Sequence, residues 1–180
     1  MSIVRANRWQ RTDGSVVGTI LQVQSTLYTT TTSQSLSANT YTNITGITAT
    51  ITPYTTSSRI LILSRWYGEW SGSGPHDHIY YIARNGTRIN VQTSTSNRMS
   101  GLATVGTNYQ TTGDWNNDST PETLSIFTVD TPASTSALTY TMGCNYSNAG
   151  TLYINRTVAD VDSSNYERGT SEIILMEIAA

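Results

Sequence analysis

Hydrophobic and polar positions along the chain follow the two-residue period of a β-strand. The clearest case is the stretch 46–53, in which Ile47, Ala49 and Ile51 alternate with threonines. Successive side chains of a strand point to opposite faces of a sheet, so this pattern predicts one buried and one solvated face. Pro53 ends the strand because proline has no N–H to donate to a neighbouring strand.

Further strands are predicted from short runs rich in β-branched and aromatic residues, and no segment has a convincing helical period. Residue 58 begins the near-continuous apolar run of a central strand, buried on both faces, and residues 173–178 form a last buried strand. Asn85-Gly86 predicts a tight hairpin, because both turn residues need positive φ. A second hairpin is expected across Ser147–Gly150. The predicted strands cover residues 19–28, 46–53, 58–70, 78–84, 87–92, 102–105, 124–130, 137–146, 151–155 and 173–178.

The number of strands and the spacing of turns define the expected fold class. About eight strands, separated by turn signals every ~8–12 residues, predict an all-β fold, either an antiparallel β-sandwich or a jelly roll. A length of 180 residues suits one such domain. We expect an extended N-terminal arm over residues 1–18 and a β-sandwich domain over residues 19–180. No strand is assigned to the Thr/Ser-rich stretch 29–40 or to the polar loop 160–169.

Composition narrows the classes of function. Charged residues make up 12% of the chain, about half the usual share of roughly 25%, and the net charge is −2. Nothing forms the basic footprint that nucleic acid or an anionic membrane requires, and no apolar run approaches the ~18 residues of a membrane helix. All ten basic residues are arginine, which fits surfaces that pair with carboxylates of other proteins; a compositional habit of the source genome explains it equally well.

Cys144 and the N-terminus indicate where the protein is made and what stabilises it. Cys144 is the sole cysteine, so no intrachain disulfide forms, and we expect it to be a small buried hydrophobe in the strand 137–146. The segment Met1–Gln10 has no apolar stretch of signal-peptide length. We therefore expect synthesis in a cytoplasm without an obvious route of secretion.

Signals for catalysis are weak. The chain has two histidines, and no Gly-x-Ser-x-Gly elbow accompanies them. Paired carboxylates for glycoside cleavage stay open, because twelve acidic residues always offer pairs. The candidate acids are Glu69, Asp77, Asp114 and Asp118. We expect no enzymatic activity and no organic cofactor.

The histidines form the sharpest chemical motif, His76-Asp77-His78. Residues two apart on a strand point to the same side, so both imidazoles would face one way. Repeated around a threefold axis, they would place six imidazole nitrogens around one octahedral metal ion. Imidazole is a ligand that suits several transition metals. The alternative is a polar loop that leads into the strand at Ile79.

Two groups of residues are candidates for interaction. Flat aromatic faces suit sugar rings or a protein interface; those considered are Trp66, Tyr67, Trp70, Tyr80, Tyr81, Tyr109 and Trp115. For Trp66 and Tyr80 we favour a place in the core, whereas Trp115 lies in a polar loop and is the better surface candidate. The arm mixes charge with one aromatic anchor, the residue mix of an interface hot spot, and is expected to dock on a partner; a frayed terminus is the alternative. Its candidate residues are Arg5, Arg8, Trp9, Gln10 and Arg11.

Several segments carry a resemblance that follows the order of the chain: ANRWQRTDG and TILQVQST near the start, NITGITATITPYTTSSRILIL in the middle, the hairpin IARNGTRI, and then GTLYINRT and DSSNYERGTSEIILMEI. Together they resemble a family of small virion proteins from cyanophages and other aquatic tailed phages. The resemblance implies a structural part of the virion, either tail fibre, capsid fibre or decoration protein, that assembles as a homotrimer and has no activity. The segments Trp66–Trp70 and GPHDH depart from the pattern, and we expect them to be specific to this phage or its host.

The expected function is therefore that of a non-enzymatic virion subunit, mounted outside a tailed-phage particle as capsid decoration, a head fibre or a short tail fibre. Its expected partners are further copies of itself and other capsid or tail proteins, with neither nucleic acid nor membrane insertion. The alternative is a host-attachment module of a tail fibre that recognises a host surface glycan.

Overall fold

The computed structural model describes residues 19–71, 77–93, 96–105 and 119–179. Within these ranges the chain forms ten strands in antiparallel sheets and no helix, and hence none long and apolar enough to cross a membrane. The predicted all-β antiparallel fold is confirmed. The strands are Ile20–Tyr28 (β1), Thr32–Leu36 (β2), Thr42–Ile51 (β3), Arg59–Ser71 (β4), His78–Arg84 (β5), Thr87–Arg88 (β6), Glu122–Asp130 (β7), Leu138–Tyr146 (β8), Gly150–Ile154 (β9) and Ser171–Ile178 (β10).

The larger sheet has six strands and is organised around the long strand β4. Along one edge of β4, β10 pairs with the segment Arg59–Arg65 and β9 with Gly68–Ser71. Along the other edge, β7 pairs with Ile60–Gly68. β1 then flanks β10, and β2 flanks β9. The smaller sheet has four strands in the order β3-β8-β5-β6.

The two sheets pack face to face around one apolar core. On β3 the alternation works as predicted, because Ile47, Ala49 and Ile51 are buried while the threonines between them are exposed. Ile60 and Ile62 of β4 fill the opposite side of the same core. Burial of one such side chain contributes about 1.5–3 kcal/mol to folding.

The two predicted hairpins have different outcomes. Asn85 and Gly86 both have positive φ, 48° and 83°, and turn β5 directly into β6 as expected. The hairpin across Ser147–Gly150 is wrong, because β8 lies in the smaller sheet and β9 in the larger. β8 already pairs with β3 on one edge and β5 on the other, so it has no free edge for β9.

Other boundaries differ from the sequence expectations in detail. β2 occupies part of the Thr/Ser-rich stretch to which no strand was assigned, and the predicted strand 102–105 is a single bridge between Ala103 and Tyr80. These two differences cancel, so the described residues hold ten strands, and the expected total of about eight is not confirmed. The loop 160–169 is free of strands, as expected. The jelly-roll arrangement stays a prediction.

Candidate functional site

Several predicted site residues lie outside the described ranges. They are the arm residues Arg5, Arg8, Trp9, Gln10 and Arg11, the loop residues Tyr109, Asp114, Trp115 and Asp118, and His76. Docking by the arm and sugar contact by Trp115 stay predictions.

Three of the remaining aromatic candidates, Trp66 and Trp70 of β4 and Tyr80 of β5, meet at one end of the core. The rings of Trp66 and Tyr80 are 5.3 Å apart between centroids, and both side chains are fully buried. Trp70 Nε1 donates a hydrogen bond of 2.8 Å to the Tyr80 hydroxyl. The favoured core position of Trp66 and Tyr80 agrees with this burial. The possible sugar contact by Trp66, Trp70 or Tyr80 is wrong, because other side chains cover the faces of these rings.

His78 belongs to the same buried cluster. Its ring lies 5.5 Å from Trp70 and 5.8 Å from Tyr80 between centroids, and the residue is only 4% exposed. A metal ion shared by three chains needs imidazoles at the surface, whereas the alternation of β5 turns His78 inward. This placement counts against the predicted metal site, and the described residues contain no group of three potential ligands.

Tyr81 lies on the opposite side of β5, on the outer surface of the smaller sheet. Its ring covers Gly143, where a Cβ would come within 2.2 Å of the Tyr81 ring. The Tyr81 hydroxyl donates to Asn43 Oδ1, and Tyr41 packs edge-on against the ring. Burial raises the pKa of Tyr81 to about 12. At 2% exposure, Tyr81 is part of the structure of this sheet rather than a sugar platform.

The rest of that outer surface is a ladder of threonines. The hydroxyls of Thr48 and Thr141 are 2.9 Å apart, and so are those of Thr50 and Thr139. Each of these hydroxyls therefore has a hydrogen-bond partner on the neighbouring strand. The remaining hydrogen-bonding capacity of this surface can be satisfied by water. We call this surface the threonine face.

The outer surface of the larger sheet has the opposite character. Phe127 is 71% exposed, and Leu27, Ile20 and Val23 are each at least half exposed. Half-buried aliphatic side chains of β4 and β10 fill the space between them. We call this surface the apolar face, and it consists of Ile20, Val23 and Leu27 of β1, Leu61 and Leu63 of β4, Phe127 and Val129 of β7, and Ile174, Met176 and Ile178 of β10.

Strand register arranges the apolar face in cross-strand rows. Leu61 pairs with Val129 on one side and Met176 on the other, and Met176 pairs with Val23. The next row is Phe127, Leu63, Ile174 and Ser25. One row further, Arg65 and Glu172 stand side by side with 3.3 Å between guanidinium and carboxylate. The face is therefore continuous across four strands and carries one opposite-charge pair at its border.

Beyond that border the sheet is covered by its own loops. Glu69, on the same side of β4 as Arg65, is 1% exposed. Its Oε1 accepts the N–H of Thr120 at 3.0 Å, and its Oε2 accepts the N–H of Val158 at 2.6 Å. The candidate acid Glu69 thus holds two loops against the sheet, a structural role.

Glu122 is an ionisable residue that the sequence reading missed. It begins β7, and its Oε2 is buried without a hydrogen-bond partner among the described residues. Burial and then the charge of Glu69 raise the pKa of Glu122 to about 7. Its carboxyl is thus expected to change charge near neutral pH.

The loop after β9 forms a shallow polar groove of about 570 Å³. Asp160 accepts two hydrogen bonds of 2.8 Å from Arg168, which lower the pKa of that carboxyl. The groove is lined by Asp160, Val161, Asp162, Ser163, Tyr166 and Arg168. Carboxylate, guanidinium and phenol groups of this kind can bind sugar hydroxyls.

A scan against protein-family models finds no match to this chain, and a search of curated proteins finds no significant relative. Function is therefore argued from the residues and the surfaces.

A sequence signal for the apolar face existed in the runs Ile60–Leu63 and Ile173–Met176. Such runs indicate strands that are apolar on both faces, which normally means burial on both. The described part of the chain covers one face of these strands and leaves the other exposed.

Proposed function

We propose that this chain is a non-enzymatic structural subunit of a tailed-bacteriophage virion. It is mounted on the outside of the particle as capsid decoration, a head fibre or a short tail fibre. It acts as a homo-oligomer, for which the family resemblance implies three copies, and residues 1–18 dock it to capsid or tail proteins.

The observation that carries this proposal is the apolar face. A soluble monomer rarely exposes a contiguous apolar patch of more than a few hundred Å². Here such a patch crosses four neighbouring strands, whereas the threonine face of the same molecule is polar and hydrogen-bonded. A polar outer surface that suits contact with water, beside an apolar one that suits contact with protein, is typical of a subunit in an assembly.

The family resemblance supplies the kind of assembly. Five of the resembling segments form structural parts of the sandwich: most of β1, the β3–β4 corner, the β5–β6 hairpin, β9 and β10. These elements belong to both sheets, so the resemblance concerns the framework of the sandwich, while β2, β7 and β8 lie outside the resembling segments.

Analysis of purified particles tests the proposal. The chain should be detected by mass spectrometry in gradient-purified virions, and electron microscopy should locate it on the exterior. Deletion of Met1–Gln10 should remove it from particles without changing its folded spectrum. Absence of the full-length chain from purified virions would contradict the proposal.

A host-attachment module that binds surface glycan is the second candidate, favoured by the polar groove around Asp160 and Tyr166. Tyr166→Ala should then lower adsorption of the phage to its host while incorporation into particles stays normal. Thr50→Ala on the threonine face is the matched control. Unchanged adsorption of the Tyr166→Ala phage would exclude this use of the groove.

A further inference from the structure

The geometry points to copies of this chain as the occupants of the apolar face. The inference rests on the proposed function for its context and deepens it by naming the surface through which the subunits meet. The interface runs over the outer side of β7, β4, β10 and β1.

The size of the face fits a protein interface. The face extends along β4 from Arg59 to Arg65. At a strand spacing of about 4.8 Å and a rise of about 3.3 Å per residue, four strands of seven residues span roughly 440 Å². Each partner of a typical stable complex buries about 800 Å². The apolar face supplies about half of that area without any contribution from loops, and an open sheet face of this kind suits sheet-on-sheet packing at about 10 Å.

The gradient of exposure across the face also favours a broad, flat partner. The most exposed apolar side chains, Phe127 and Leu27, lie on the two outermost strands, β7 and β1. Side chains of the inner strands are half-buried by these neighbours. A partner that covers only the centre would leave the largest apolar area in water, so the occupant must reach both edges.

Charge complementarity identifies the partner as another copy. Arg65 and Glu172 stand side by side on the two central strands, β4 and β10. When two copies face each other with their strands aligned, β4 of one lies over β10 of the other. Arg65 of each copy then meets Glu172 of the other, Leu63 meets Ile174, and Leu61 meets Met176.

The same complementarity serves a closed ring. There the β7 edge of one copy approaches the β1 edge of the next, which brings Val129 to Val23, while the Arg65 and Glu172 side chains of all copies face the common axis. Both arrangements are closed and use each surface once, so neither leads to open fibres. The measured mass distinguishes a pair from a ring of three.

Sedimentation velocity of the full chain tests the interface, between about 1 and 100 μM, the range in which moderate affinities show as concentration dependence. The wild type should form a discrete oligomer. Phe127→Glu should weaken association about tenfold or more, because it places a charge in a desolvated apolar contact. Tyr54→Glu is the matched control, since Tyr54 is 68% exposed but lies outside the face, and it should leave the mass unchanged.

A mixing experiment separates contact between chains from packing within one chain. Arg65→Glu alone places two acids side by side in each copy, and Glu172→Arg alone places two arginines there. Each variant should associate weakly by itself, whereas an equal mixture should recover the oligomer because unlike charges meet across the interface. Circular dichroism and melting temperature verify that all variants fold.

Three results would overturn the inference: a monomeric wild type over the whole concentration range, an oligomer that Phe127→Glu leaves intact, or no recovery on mixing. These outcomes are independent of the test on virions. A chain that oligomerises through this face but is absent from particles would remove the proposed function and leave the interface standing.

Discussion

The two outer surfaces of the sandwich are built on the same kind of antiparallel strand pair, yet they meet different surroundings. On the threonine face, Thr48 and Thr50 pair with threonines of β8 through their hydroxyls. On the apolar face, the corresponding outward positions of β4 are Leu61 and Leu63. Backbone pairing does not explain the difference, because both sheets satisfy it equally. The difference lies in the outward side chains, and it supports the proposal that the apolar face contacts protein while the threonine face contacts water.

A third region sharpens the comparison, because it lies on the same side of the larger sheet as the apolar face. Beyond Arg65 the chain covers the sheet with its own loops, anchored by the Glu69 carboxylate. Where the chain supplies its own cover, it uses buried polar anchors. Where the outward residues are aliphatic and carry no anchor, the described residues provide no cover, which supports the proposed contact with another copy.

The largest effect is expected when the loop anchor is removed. Glu69→Ala leaves the N–H groups of Thr120 and Val158 without their acceptor and should lower the free energy of unfolding by about 2–4 kcal/mol. Urea denaturation measures the change. Glu167→Ala, at an exposed position of the same loop region, should change stability by less than about 0.5 kcal/mol. Equal effects of the two variants would contradict the anchoring role.

The next effect depends on pH and concerns the inner side of β7. The pKa of Glu122 is raised in the folded state, so the folded protein binds this proton more tightly than the unfolded chain. Stability should therefore fall as pH rises from about 4.5 through 7. Because the group is partly solvated, Glu122→Gln should add only about 1 kcal/mol at pH 8 and almost nothing at pH 4. Equal stabilisation by Glu122→Gln at both pH values would contradict the raised pKa of Glu122.

Making the threonine face more apolar, or the apolar face more polar, should change stability less than the preceding variants do. The double change Thr50→Val with Thr139→Val removes both partners of one hydroxyl pair, so unfolding free energy should shift by less than about 1 kcal/mol. Oligomer mass should stay that of the wild type. In contrast, Phe127→Thr should shift the equilibrium toward smaller species with unchanged stability of the fold. A mass changed by the threonine pair would mean that the threonine face also binds a partner.

The smallest effect is expected in the polar groove. Arg168 is largely solvated and pairs with Asp160 in an exposed loop. Arg168→Ala should therefore change the melting temperature only slightly, and less at high salt, because solvent and ions screen an exposed pair. Thermal melting at two salt concentrations measures it. A loss of several degrees would show that the loop depends on this pair.

The sequence predicted those parts of the fold in which one local signal dominates. Alternation identified the buried side of β3, and positive φ at Asn85 and Gly86 turned the first hairpin. The predicted hairpin between β8 and β9 was wrong, because the pairing of a strand depends on which strand edges the rest of the sheet leaves free. β2 was missed because Leu36 is its only well-buried apolar residue.

For a related physical reason, alternation favoured a core position for Trp66 and Tyr80 but left sugar contact open at both and at Trp70. Trp66, Trp70 and Tyr80 have the composition of a sugar platform, but composition does not say which face of a ring is covered. The runs Ile60–Leu63 and Ile173–Met176 signalled apolar surroundings on both faces of the strands. That signal gives the surroundings without saying whether the same chain provides them.

Phe127 offers the most direct measurement of the central claim, since it is the only phenylalanine of the chain and lies exposed in the apolar face. Incorporation of fluorophenylalanine gives a single ¹⁹F resonance, whose shift between H₂O and D₂O reports contact with water. With rising protein concentration, the resonance should move and lose its solvent isotope shift as another copy covers the ring. A resonance that stays solvent-exposed at every concentration would contradict the account.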